Sequence, residues 1–123
     1  MASFHRYNFS LVIFIALFFC SCTNSIEQKQ YIIGFSQCVE SDAWRKTMLE
    51  EMKRELSFHP ELTLIYRQAD GNSNKQISQV RDLLKRGVDI LIISPNEADP
   101  LTPVVEEAFN AGMPVIVVDR KIS

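Results

Sequence analysis

Hydrophobic positions along the chain fall into short apolar runs that alternate with stretches of three- and four-residue spacing, and this predicts strands and helices in turn. Tyr31-Ile32-Ile33-Gly34-Phe35 is a short apolar run between polar residues, the pattern of a strand buried on both faces. Asp42 to Leu56 predicts a helix: Met48, Leu49, Met52 and Leu56 share one face, Ser41 or Asp42 caps the start, and Pro60 closes the segment. Leu62 to Tyr66 predicts a second strand, ended by the turn residues Asp70-Gly71-Asn72. Asn72 to Arg86 is a second helix, striped by Ile77, Val80, Leu83 and Leu84, with Gly87 placed for a left-handed cap. Val88 to Ile93 is the third strand. A third helix starts between Asp99 and Thr102, each followed by a proline suited to the first helical position. It runs through Val104, Val105, Ala108 and Phe109 to Gly112, and Pro114 to Val118 forms the fourth strand.

Strands alternating with helices of this length require right-handed crossovers. The fold class is therefore α/β: an open parallel sheet with helices on both faces, Rossmann-like, in strand order 2-1-3-4. An internal echo supports it. Gly87-Val88-Asp89-Ile90-Leu91-Ile92-Ile93-Ser94 and Gly112-Met113-Pro114-Val115-Ile116-Val117-Val118-Asp119 share a capping glycine, two residues, four aliphatics and a polar group. Ser94 and Asp119 thereby occupy equivalent strand ends.

The N-terminus follows a different rule. Met1 to Asn8 carries His5 and Arg6 without an acid, and Phe9 to Phe19 is an almost wholly apolar run of 11 residues. That is the layout of an export signal and is shorter than the ~20 residues of a spanning helix. In Phe18-Phe19-Cys20-Ser21-Cys22, which resembles a relaxed lipoprotein processing site, Cys22 is the better lipid acceptor because small Ser21 precedes it. An uncleaved anchor holding both cysteines is the alternative. The expected organisation is a signal or anchor over 1–22, a polar linker over 23–30 and one domain over 31–123, all outside the cytoplasmic membrane. Once the signal is removed, Cys38 alone remains, so no internal disulfide forms, and it is expected as a small, partly buried side chain.

Charge and composition remove several classes of function. The net charge of -2 has no basic stripe to neutralise phosphates, so nucleic acid is not an expected partner. The segment after Gly34 holds no glycine for a dinucleotide turn, and there is no Walker loop. His59 is isolated at a helix end as a solvated turn residue, which leaves no histidine-based triad or metal site. No cofactor is expected, and the chain is read as a non-enzyme.

In open parallel sheets, ligands bind outside the carboxyl ends of the strands. Those ends are Ser36-Gln37, Ala69-Asp70, Ser94-Pro95-Asn96 and Asp119-Arg120, mostly polar side chains able to hydrogen-bond a ligand. At about 100° per residue, Arg45 projects along the middle of the first helix's apolar stripe, where a charge is costly unless the face looks past the sheet into a crevice. Trp44 lies at the edge of the same stripe, and Asp42 at its start. A carboxylate, a guanidinium and an aromatic plane around one crevice suit a sugar. Asp119 accepts from two hydroxyls, Arg120 or Arg45 donates to oxygens, and Trp44 covers the apolar C–H face. The structural alternatives are Trp44 packed on Met48, Arg45 paired with a nearby carboxylate, and Asp119 as a cap or paired with Arg120.

Gln68-Ala69-Asp70-Gly71-Asn72, the Gly87 to Asn96 segment and the Gly112 to Arg120 segment together resemble the N-terminal lobe of ribose-type periplasmic binding proteins, over about Tyr31 to Ile122. The resemblance implies two lobes that close on a sugar by hinge bending and report occupancy to a membrane permease or a sensor. It makes Asp119 and Arg120 a sugar-contacting pair, Trp44 a stacking aromatic and Ser94 a polar strand-end contact. The family usually has two aromatics where this chain has Trp44-Arg45, and often Asn at Ser94. Ser41 to Met48 looks still more like the sensor domains of bacterial hybrid two-component systems, which drive an internal kinase. Repressors of the lactose-repressor type share the fold but begin with a DNA-binding segment, whereas an export signal takes that place here.

The expected ligand set is Asp119, Arg120, Trp44, Arg45, Ser94, Ser36, Gln37, Asp42 and Asn96, with a monosaccharide as partner. By this resemblance the chain is a truncated first lobe, and one wall of a clamp is expected to bind sugar weakly alone. The two other expectations are a sugar-modifying enzyme on the same sheet and a surface lipoprotein that makes protein contacts only.

Overall fold

A computed structural model describes residues 28–123. The expected signal over 1–22, with Cys22 as lipid acceptor, lies outside the described residues, as does most of the linker. The elements run β1 (Tyr31–Gln37), α1 (Ala43–Leu56), β2 (Leu62–Gln68), α2 (Ser73–Lys85), β3 (Ile90–Ser94), α3 (Ala98–Asn110) and β4 (Val115–Val117). The strands form one parallel sheet, as the alternation of elements predicts, in the expected order β2-β1-β3-β4.

Side chains alternate across this sheet, so its two faces differ. Towards α2 and α3 point Gly34, Leu91 and Ile93, which join a core of Val80, Leu83, Val88, Leu101, Val104, Val105 and Ala108. Gly34 lets α2 approach: a Cβ there would stand 3.2 Å from Val88 and 3.3 Å from Leu83. On the opposite face Phe35 packs on Tyr66, ring centroids 5.5 Å apart, and α1 buries Leu49. Met48, Met52 and Leu56 are only half-buried. Ile116, next to Ile92 in register, is 46% exposed because α1 packs on β2, at the opposite edge of the sheet.

Local signals set most boundaries. The Asp42 carboxylate accepts from the Arg45 amide at 2.9 Å, and Asn72 does the same for Lys75 at 2.9 Å, so each satisfies one of the donors that open a helix. Gly87 takes the left-handed backbone (φ 70°) that ends α2.

Three expectations need correction. Helix α3 starts at Ala98, with Glu97 at its cap and no side-chain cap bond, which places Pro100 third and Pro103 sixth in the helix. Pro100 is tolerated there because the first four helical amides have no partner within the helix. Phe109, expected on the apolar stripe, is 68% exposed, since the core on this face ends at Val105 and Ala108. Cys38 is wholly rather than partly buried.

Candidate functional site

The carboxyl ends of β1, β3 and β4 form one rim, closed on one side by the start of α1. Beyond β4 the Val118 amide still donates to the Ile93 carbonyl (2.9 Å), which carries the chain alongside β3 and sets Asp119 next to Ser94. The Ser94 hydroxyl donates to Asp119 Oδ2 at 3.0 Å. Asp119 has a left-handed backbone (φ 69°), which costs on the order of 1 kcal/mol and is borne better by aspartate than by most residues.

Arg45 rises from the first turn of α1 to meet this carboxylate. Its Nη2 donates to Asp119 Oδ2 and its Nη1 to Asp42 Oδ2 at 2.5 Å, so the guanidinium is held between two carboxylates. The Arg45 side chain is 12% exposed and that of Asp119 18%, a partial burial that strengthens such contacts. The Asp42 bond pushes the Arg45 pKa up further, with Asp119 adding to it against the opposing effect of burial. Asp42 in turn is held below the usual carboxylate range, first by the Arg45 amide and then by its guanidinium. Trp44, 55% exposed, stands beside this group with the Arg45 guanidinium 5.8 Å from its ring centroid.

Trp44, Arg45, Asp42 and Asp119 thus share one rim, with the wholly buried Ser94 beneath Asp119. Arg45 does pair with nearby carboxylates, one of them 74 positions away in sequence. Asp119 caps no helix and pairs with Arg45 instead of Arg120. Arg120 Nη1 donates to the Asn96 carbonyl, and Asn96 spends its amide on Gly71 O (3.1 Å) and Ser73 Oγ (3.0 Å). A groove of about 390 Å³ follows Val117 to Ile122, past Asp119 and Arg120.

Ser36 and Gln37 sit below the rim, and the expectation that they line it is corrected. Both are wholly buried, as is Ser94 at the end of β3, because β1 and β3 are the inner strands of the sheet. The expectation that the Ser94 side chain meets ligand directly is corrected likewise, since its hydroxyl serves Asp119 from beneath. Gln37 Nε2 donates to Val39 O at 2.9 Å, while Gln37 Oε1 and Arg45 Nε are buried without a partner among the described residues.

Two residues absent from the expected set belong to this region. Cys38 places its Sγ 3.7 Å from the Ser94 hydroxyl. Gln76, wholly buried on α2, bonds to both Ser94 and Asn96. Its signal was present in the sequence, since Gln76 precedes Val80 and Leu83 at the spacing of the buried stripe. His59 stands 3.3 Å from Glu61 and 3.5 Å from Glu55 at the far end of α1. No group of three metal-ligating side chains occurs among the described residues.

Comparison with known proteins agrees with this geometry. Residues 33–123 match the family described as periplasmic binding protein domain. The ribose import binding protein RbsB of Bacillus subtilis (strain 168) is 31% identical over 98 residues, which is 80% of this chain and 32% of that protein. Among solved structures, the fructose-binding periplasmic domain of a hybrid two-component system is 46% identical with a TM-score of 0.74, over 76% of this chain and 31% of that one. The periplasmic binding protein of the arabinose ABC transporter from Shewanella sp. ANA-3 is 35% identical with a TM-score of 0.68, over 75% and 30% respectively. The chain spans about a third of the length of these relatives. With the match covering nearly all of the described residues and the parallel sheet in the order this fold requires, the chain belongs to the periplasmic binding protein domain family.

Proposed function

We propose that this chain supplies one wall of an extracytoplasmic site for a small neutral sugar, and that it binds without chemical turnover. The supporting observation is the Arg45–Asp119–Ser94 cluster on the carboxyl rim, beside an exposed Trp44. Asp119 has lone pairs left to accept from sugar hydroxyls, and Arg120 has donors beyond the one given to Asn96. Trp44 offers an aromatic surface for the ring's C–H face. Asp42 acts through Arg45, while Ser36, Gln37 and Asn96 support the rim from below and beside it. The named relatives are binding proteins, and among the described residues no second reacting group stands opposite Asp119 on the rim.

In this reading the N-terminal run Phe9 to Phe19 exports the protein and Cys22, once lipidated, tethers it, with 31–123 as part of the sugar-binding domain. The partner is a membrane permease or a sensor kinase. The 46% identity with the sensor domain, against 31% with the ribose import protein, supports the sensor side. Calorimetry of the whole natural protein with D-ribose, D-fructose, D-xylose and L-arabinose tests the proposal. At least one should bind, and Asp119→Asn should weaken it tenfold or more. Heat of binding from none of the four, or affinity untouched by Asp119→Asn, would overturn it.

A further inference from the structure

We infer that Gln76 is a positioning residue for the sugar site, holding Ser94 and Arg120 in place through the backbone of the loop between β3 and α3. One buried amide touches three separate segments beneath the rim. Its Nε2 donates to the Ser94 carbonyl at 2.9 Å and lies 3.3 Å from the Ser36 hydroxyl, which joins the ends of β3 and β1. Its Oε1 accepts from the Asn96 amide at 2.8 Å, which fixes the loop two residues further on. The Asn96 carbonyl then receives Arg120 Nη1. A chain of contacts therefore runs from α2 to Arg120 without touching the crevice.

The amide group is suited to this role because it offers a donor and an acceptor in a fixed plane. A wholly buried side chain that lost either bond would leave the Ser94 carbonyl or the Asn96 amide with one partner fewer in a dry environment. The Ser94 carbonyl keeps the Cys38 amide at 3.0 Å, so the greater disturbance falls on Asn96 and on what hangs from it, Arg120. Gln76 is a support for the site and makes no contact with ligand.

The affinity arm of the test rests on the sugar-binding proposal, and the exchange arm does not. In the whole natural protein, Gln76→Met removes both bonds at similar length. Amide hydrogen exchange at Asn96 should quicken tenfold or more, while exchange at Leu83 and Val104 in the core stays within twofold. With the best binder among D-ribose, D-fructose, D-xylose and L-arabinose, affinity should fall about tenfold. In an Arg120→Ala background the same change should cost less than twofold, because its route is already cut. Should Gln76→Met not fold, Gln76→Leu, which also removes both the donor to the Ser94 carbonyl and the acceptor for the Asn96 amide, carries the test with the same expected changes in exchange and affinity. Unchanged Asn96 exchange, or losses from Gln76 and Arg120 that simply add, would overturn the inference. If no sugar binds yet Asn96 exchange quickens, the sugar reading fails and the structural link stands.

Discussion

The two faces of the sheet are built to different standards. Between the sheet and α2–α3 lies a closed core of Val80, Leu83, Leu91, Ile93, Leu101, Val104, Val105 and Ala108, all buried. Across the sheet, α1 buries Leu49 while Trp44 and Ile116 remain open to solvent. Yet the less buried face carries Trp44, Arg45 and Asp42, and the densely packed one carries Gln76 and the loops that hold Asn96. The sugar rim proposed above would thus have its supports on the densely packed side and its contacts on the more open side, the division expected where a site must be held firmly yet stay accessible.

The contrast is broken most severely from the core. Leu83→Ala should cost about 2–5 kcal/mol, read from the midpoint of urea unfolding, because the cavity it leaves is closed in by α3 and the sheet. Leu49→Ala on the α1 face should cost less than half of that, since its surroundings are partly open and able to collapse. Equal losses at the two positions would erase the distinction between the faces.

Asp119→Asn comes next. A hydrogen bond to a charged group is worth about 1.5–3 kcal/mol, so sugar affinity should fall between roughly tenfold and a hundredfold. The urea midpoint should move little, because Arg45 keeps Asp42. Trp44→Ala should lower affinity by about 0.5–1.5 kcal/mol, the usual worth of an aromatic contact, and leave stability within about 0.5 kcal/mol, because the ring is largely exposed. Calorimetry and thermal melts on the same samples separate the two effects.

The smallest effect is on pH dependence. Asp42 is depressed in the folded state by the Arg45 amide and guanidinium. A carboxyl with a lowered folded pKa stabilises above its unfolded value of about 3.9, and that contribution is lost as pH falls through the folded value. Stability should therefore be flat in this respect from pH 7 to about 5 and decline below about 4. Asp42→Asn should make the acid limb slightly shallower. Asp70, held down by Lys75, and Asp82, held down chiefly by Arg86, add to the same limb and remain in the variant.

Much of this molecule is legible in its sequence because the determining signals are local. The run of four aliphatics after Gly87 and again after Gly112 announces β3 and β4, and the capping residues Asp42 and Asn72 mark the starts of α1 and α2. Ser94 and Asp119 could be paired because the echo placed both at strand ends. What the sequence left open depends on distance or on depth. Arg45 stands beside several acids, and no spacing rule selects Asp119, which only the order of the sheet brings near. The start of α3 lies ahead of the residue its prolines suggest because proline is tolerated throughout a first turn, and Pro100 marks the turn without marking its first residue. Ser36, Gln37 and Ser94 share polarity with the exposed rim residues, and their burial follows from β1 and β3 each lying between two strands. The role of Gln76 is not legible from sequence, because a polar residue on an apolar stripe resembles an interruption until its partners are known.

A crystal structure of the whole natural protein with the best-binding of the four sugars tests the central claim most directly. It should show ring hydroxyls within about 3.2 Å of the Asp119 carboxylate and the sugar's C–H face over Trp44. A sugar held elsewhere, with Asp119 still paired to Arg45 and no contact to either residue, would contradict it.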